Sequence, residues 1–141
     1  MPNTPPNLIA GGAIRPHRFV KMDTAEEHQG LECDANDAPI GIAGPPTLNA
    51  PLSDLVTTNN AAADGDSFLL KGPGEYCQLE AGASFNSGTR LKADADGKGV
   101  AVATSGTTIQ QWGAISQQAA AADGDLVEVF VELGSERPAL S

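Results

Sequence analysis

From position 14 onward the chain alternates short apolar-rich runs with turn-forming residues. The runs are IRPHRFVKMD (14–23), GLEC (30–33), APIGIA (38–43), DSFLLKG (66–72), EYCQLE (75–80), TRLKAD (89–94), GVAVAT (99–104), TIQQWGAI (108–115) and DLVEVFVEL (125–133). Several alternate apolar with polar or small residues, the period that puts successive side chains on opposite faces of a strand. In the last run Val127, Val129, Val131 and Leu133 share one face, predicted to be buried, while Leu126, Glu128, Phe130 and Glu132 share a mixed opposite face. Asp-Gly and other glycine-containing turns separate the runs. No stretch carries a sustained helical stripe of apolar residues. At most one or two short helices are predicted, one within 51–63 and one in QQAAAADGD (117–125), where alanine favours helix and Asp-Gly ends it. The predicted fold class is mainly β.

One turn is written twice. AAADGD occupies 61–66 and again 120–125, and an apolar run follows it each time. FVKMD (19–23) aligns with RLKAD (90–94), and PIGIA (39–43) with QWGAI (111–115), so two halves, 11–72 and 82–134, follow the same order. Asp-Gly tolerates the positive φ of a tight turn, and the small alanines before it let the chain pass close to a neighbouring strand. An internal duplication follows, in which a β unit buries its apolar faces against its own copy. The first half carries 13 extra residues, GPPTLNAPLSDLV (44–56). Ahead of both halves, MPNTPPNLIA (1–10) holds three prolines and reads as an extended N-terminal arm leading into a single β-rich domain over 11–141.

Composition narrows the function. Asp and Glu outnumber Lys and Arg by 18 to 8, a net charge of −10, and such a field repels nucleic acid phosphates and anionic lipid headgroups. No apolar run approaches the roughly 20 residues needed to span a bilayer, and the first residues lack the apolar core of a signal peptide. The chain reads as soluble and made in a cytoplasm, without nucleic-acid or membrane partners. Cys33 and Cys77 have no CxxC spacing; two reduced thiols are the first reading and a disulfide the second.

Candidate chemistry is sparse. DADGKG (94–99) begins like a calcium loop but has Lys98 where another oxygen ligand belongs and Ser105 where the bidentate Glu belongs, so it reads as a solvated hairpin turn; DANDAP (34–39) reads the same way. His17 and His28 stand outside any metal or nucleophile motif. No catalytic residue, metal ligand or cofactor is assigned. Trp112, the lone tryptophan, is a core residue, an interface anchor or a ligand platform.

Taken together, GGAIRPHRFVKMD, APIGIA, LKADADGKGVAVAT and WGAISQQAAAADGDLVEVFVE, with the acidic Gly/Ala-rich composition, resemble the head decoration (capsid cement) proteins of tailed phages over about residues 11 to 133. The resemblance implies a β-barrel or β-tulip-like domain on the outer surface of an expanded icosahedral shell. It implies the major capsid protein as partner, capsomer bridging as mechanism, and self-association as homotrimers or dimers. By the same resemblance a chain terminus reaches the shell, which puts Asn7, Leu8, Ile9 and Ala10 on it. The apolar insertion, with Leu48, Leu52, Leu55 and Val56, and the anchor candidate Trp112 are assigned to a subunit or capsid interface. Two rival functions are a phage tail, fibre or surface β module binding a receptor or glycan, and a small hydrolase.

Overall fold

The computed structural model describes residues 8–24, 29–35, 37–44, 67–68, 70–102 and 110–136. Eleven strands appear among them: β1 (Leu8–Ala10), β2 (Phe19–Met22), β3 (Gln29–Glu32), β4 (Gly41–Ala43), β5 (Ser67–Phe68), β6 (Leu70–Lys71), β7 (Tyr76–Glu80), β8 (Arg90–Ala93), β9 (Gly99–Ala101), β10 (Gln110–Ser116) and β11 (Leu126–Glu136). All nine runs of the sequence contribute at least one. No helix occurs among the described residues. The expected helical turn over 117–125 is absent because Ala120 exchanges both main-chain hydrogen bonds with Phe85 (2.9 and 3.1 Å), which holds the segment against a neighbour. The Asp125 carboxylate accepts from the Ala121 and Ala122 amides, and Gly124 takes φ +98°, so the AAADGD segment is a closed turn. Its first copy, and the helix expected within 51–63, lie outside the described residues.

The strands form two sheets, ordered β5-β1-β3-β2-β4-β6 and β7-β11-β10-β8-β9. β5 and β6 are neighbours in sequence yet occupy opposite edges of the first sheet, β5 against β1 and β6 against β4. That sheet therefore curls until its two edges meet in one short segment. Inside the curl Ala10, Ile14, Val20 and Ala43 pack together, with Ile40 and Leu70 at the margin. Residues one step along the same strands point the other way. Phe19 and Ile42 join Cys33 in the main core, where they meet Leu79, Leu91, Ala114, Val127, Val129 and Val131 of the second sheet. Phe19 has no exposed surface, and burial of such a side chain contributes roughly 1.5–3 kcal/mol.

The two sheets share a plan. The order β3-β2-β4-β6 in the first matches β9-β8-β10-β11 in the second, with antiparallel neighbours throughout. Val20, Lys21 and Met22 pair with Glu32, Leu31 and Gly30 as Leu91, Lys92 and Ala93 pair with Ala101, Val100 and Gly99. A bulge between Trp112 and Ala114 shifts the second copy by one residue, so Gly41 corresponds in register to Ala114 and Ile42 to Ile115.

Candidate functional site

The arm expected over residues 1–10 ends earlier than the prolines suggest. Leu8–Ala10 is a strand paired on both sides, parallel to β3 and antiparallel to β5. Its main chain is therefore committed to the chain's own sheet, and Ala10 is wholly buried. Of the four residues placed on a shell, Ile9 alone offers described side-chain surface, at 40% exposure. Asn7 lies outside the described residues, as do Leu48, Leu52, Leu55 and Val56.

Trp112 is 8% exposed and belongs to neither core cluster. It pairs with Lys92 and with Gly134, which puts it on the outer face of the second sheet. A Cβ on Gly134 would stand 2.6 Å from the indole, so the glycine makes the seat for the ring. The Arg90 guanidinium lies 5.2 Å from the ring centroid, a cation–π contact. The indole Nε1 has no hydrogen-bond partner among the described residues.

A charged joint fastens one sheet to the other. Arg18, 8% exposed in its side chain, donates to Glu80 Oε1 (3.2 and 3.3 Å) and to the Asp96 carbonyl (2.9 Å). Lys98 reaches Glu80 Oε2 (3.5 Å) and Asp123 (2.8 Å), and its hydrogen bond to Asp123 raises its pKa. Arg15 binds Glu32 through Nε and Nη2 (3.0 and 2.8 Å); this hydrogen bonding raises its already high pKa. DADGKG is a hairpin turn, as expected, but its main chain is used rather than solvated. The Phe19 amide donates to the Gly97 carbonyl (2.8 Å), and both Arg15 and Arg18 hold the Asp96 carbonyl. Next to this joint, His17 takes φ +63°; its amide donates to Ala43 and its carbonyl accepts from Glu80. Sequence reasoning missed the joint because its members are scattered between positions 15 and 123, and no local pattern announces ion pairs of such separation.

The two thiols are free. Cys33 lies in the core, where burial pushes its pKa up to about 12; Cys77 is half-buried, and burial pushes it up to about 11. At neutral pH both are inert thiols. A cleft of about 470 Å³ opens at Lys21, Met22, Leu31, Asp37 and Ile40. Lys21 binds Asp37 there at 2.6 Å, so its charge is already matched. Among the described residues no three His, Cys, Asp or Glu side chains converge as a metal site. His28 lies outside them, and no helix of the described residues is long and apolar enough to cross a membrane.

Among the described residues, large apolar side chains exposed on the surface are Ile9, Met22, Tyr76, Leu126 and Leu133. Tyr76 (60%) and Leu126 (48%) share the outer face of the second sheet with Phe130, whose ring lies 5.0 Å from that of Tyr76. Ile115 pairs with Phe130 and extends the same row.

No protein-family model and no curated protein sequence matches the chain. Among solved structures, it is similar to that described as the crystal structure of head fiber gp8.5 N base in bacteriophage phi29, with a TM-score of 0.59. The identity is 17%, and the likeness covers 89% of this chain and 91% of that one. The two share a fold.

Proposed function

We propose that the chain is a structural protein of a phage head, a decoration protein that attaches to the outer surface of the expanded shell and stabilises it by bridging capsomers. The observation that carries this reading is the shared fold, which spans nearly all of the chain and nearly all of the head-fibre base. The sequence resemblance to head decoration proteins points the same way independently. The physical character suits passive attachment: two sheets fastened by a common core and a charged joint. The partner is the major capsid protein. Self-association into trimers or dimers would multiply modest contacts over a symmetric lattice through effective concentration. A second reading, supported by the fold shared with a head-fibre base, makes the chain the base on which an outward head fibre stands.

The test is co-sedimentation of the purified chain with undecorated expanded heads and with unexpanded ones. Saturable binding to expanded heads and weak binding to unexpanded ones is expected, with a raised temperature of head rupture after decoration. Failure on both kinds of particle would reject the reading. Binding without any gain in head stability would favour the fibre base.

A further inference from the structure

The outer face of the second sheet is built like a face meant to be covered. In the first half Phe19 and Ile42, which pair with each other, turn toward the main core and are wholly buried. Their register equivalents in the second half are Arg90 and Ile115, which also pair with each other. These two point outward, in one row with Phe130 and Tyr76. The same face of the repeated plan is thus covered in one half and open in the other. Leu126 at 48% exposure and Tyr76 at 60% measure how open it is.

The row ends at an open edge. β7 is the outermost strand on that side of its sheet. The Val131 amide donates to the Glu75 carbonyl, so by the antiparallel alternation Glu75, Cys77 and Leu79 exchange hydrogen bonds with β11. The main-chain groups of Tyr76, Gln78 and Glu80 then point away from β11. The Glu80 amide is used, donating to the His17 carbonyl at 2.8 Å. No main-chain partner holds the Tyr76 and Gln78 groups among the described residues. Natural edges are commonly blunted by a lysine, a proline or a bulge; the central residues here, Tyr76, Cys77 and Gln78, supply none of these.

We infer that β7 is a docking edge: an extended segment of a partner protein adds to it as a further strand, lays an apolar side chain on Tyr76 and Phe130, and brings lysines or arginines to the acidic rim. The rim decides the partner's chemistry. Glu75, Glu128 and Glu132 are exposed around the aromatic pair, and the chain as a whole carries −10. Of the nearby cations, Arg90 lies over Trp112 at the far end of the row. A second copy fits poorly. Antiparallel pairing of two β7 strands about Gln78 would set Tyr76 against Glu80 and bring two acidic rims together. Main-chain hydrogen bonds from Tyr76 and Gln78 supply affinity, and the aromatic pair with its acidic border supplies selectivity. Naming the partner a shell subunit rests on the head-associated reading above; the strand addition itself does not.

The test uses the full chain, Gln78→Pro and Tyr76→Ser. Proline at 78 deletes an amide that points away from β11, so the chain's own ladder is kept; circular dichroism and thermal melts verify folding. The first probe is expanded heads. Wild-type binding that falls at least about tenfold in both folded variants is expected. Wild-type binding that persists unchanged in both overturns the docking edge while leaving the head-associated reading in place. The second probe needs no phage. It is a capped heptapeptide, Val-Thr-Val flanked by two lysines on each side, beside its counterpart with glutamates. Hydrogen exchange at the Tyr76 and Gln78 amides should slow about tenfold or more with the lysine peptide and stay unchanged with the glutamate one. Unprotected amides at about 1 mM lysine peptide, or dimerisation of the chain that Gln78→Pro abolishes, refute the proposal even where the heads fail to bind.

Discussion

Replacing Glu80 by glutamine keeps the side chain's shape and deletes its charge at the joint between the sheets. Arg18 then remains nearly buried beside a neutral amide, with the Asp96 carbonyl at 2.9 Å as its remaining strong acceptor. Lys98 keeps Asp123 at 2.8 Å. Breaking a fully buried pair by removing one partner costs about 3–5 kcal/mol. Here Glu80 is 23% exposed, and its contacts, at 3.2 to 3.5 Å, are longer than strong charge-assisted bonds. A loss of about 2–3 kcal/mol is expected, which is a large share of the roughly 5–15 kcal/mol that holds a domain together. At about 3 °C per kcal/mol the melting temperature falls by roughly 6–9 °C. The assay is urea unfolding of wild type, Glu80→Gln, Glu80→Leu, Arg18→Met and the double variant Arg18→Met with Glu80→Leu. The double variant should recover most of the loss, because it removes both desolvated charges and leaves packed apolar groups. A change below about 0.5 kcal/mol in Glu80→Gln, or additive losses in the double variant, would refute the view that this pair is desolvated and coupled.

Three further outcomes follow from the same geometry. Gly113→Ala should cost about 1–3 kcal/mol in urea unfolding, since its Cβ would stand 2.5 Å from the rigid Pro39 ring and 2.9 Å from Phe19. Burial pushes the Asp37 carboxyl up, but the hydrogen bonds from Lys21 (2.6 Å) and the Asp34 amide (2.9 Å) outweigh it and hold the group below its ordinary value. A depressed carboxyl contributes stability above its unfolded pKa, about 3.9, which is lost as pH falls through the folded value. The stability gap between wild type and Asp37→Asn should accordingly close as pH falls below about 5. In the folded protein at pH 8, both thiols should react with Ellman's reagent at least about a hundredfold more slowly than in urea, Cys33 the slower of the two; equal rates would contradict the raised pKa values.

What was legible in the sequence was whatever a local period encodes. The valine face of DLVEVFVEL is buried at Val127, Val129 and Val131, as alternation requires, and Gly124 takes the positive φ that Asp-Gly announces. Leu133 departs from its face at 38% exposure, close to the irregularity that the bulge at Gly113 imposes on the pairing. β1 was missed because three residues are too short for a period and the prolines at 2, 5 and 6 dominate the reading of the segment. Its strand character comes from β3 and β5 on either side, a tertiary cause invisible locally. The joint was missed for the same reason. Arg18, Glu80, Lys98 and Asp123 look like ordinary surface charges until the chain brings their strands and turns together.

The repeated plan explains both the solidity of the molecule and where it is unfinished. Val20, Gly41 and Ala43 face into the first curl, and their register equivalents around Leu91 and Ala114 face the main core, so each half turns the same face inward. The halves differ in what happens to the other face. Phe19 and Ile42 gain the second sheet as a cover, whereas Ile115, Phe130 and Tyr76 share their face with Arg90 and the indole of Trp112 and have no sheet over them among the described residues. Edges differ in the same way: the first sheet has β5 and β6, neighbours in sequence, at its two edges, and the second ends at β7 on one side. A repeated strand plan that covers itself on one side alone leaves, among the described residues, an apolar row and the β7 edge side by side. Cohesion within the chain and adhesion to another surface thus become two uses of one strand arrangement, and the second depends on a cover that this chain does not provide among its described residues.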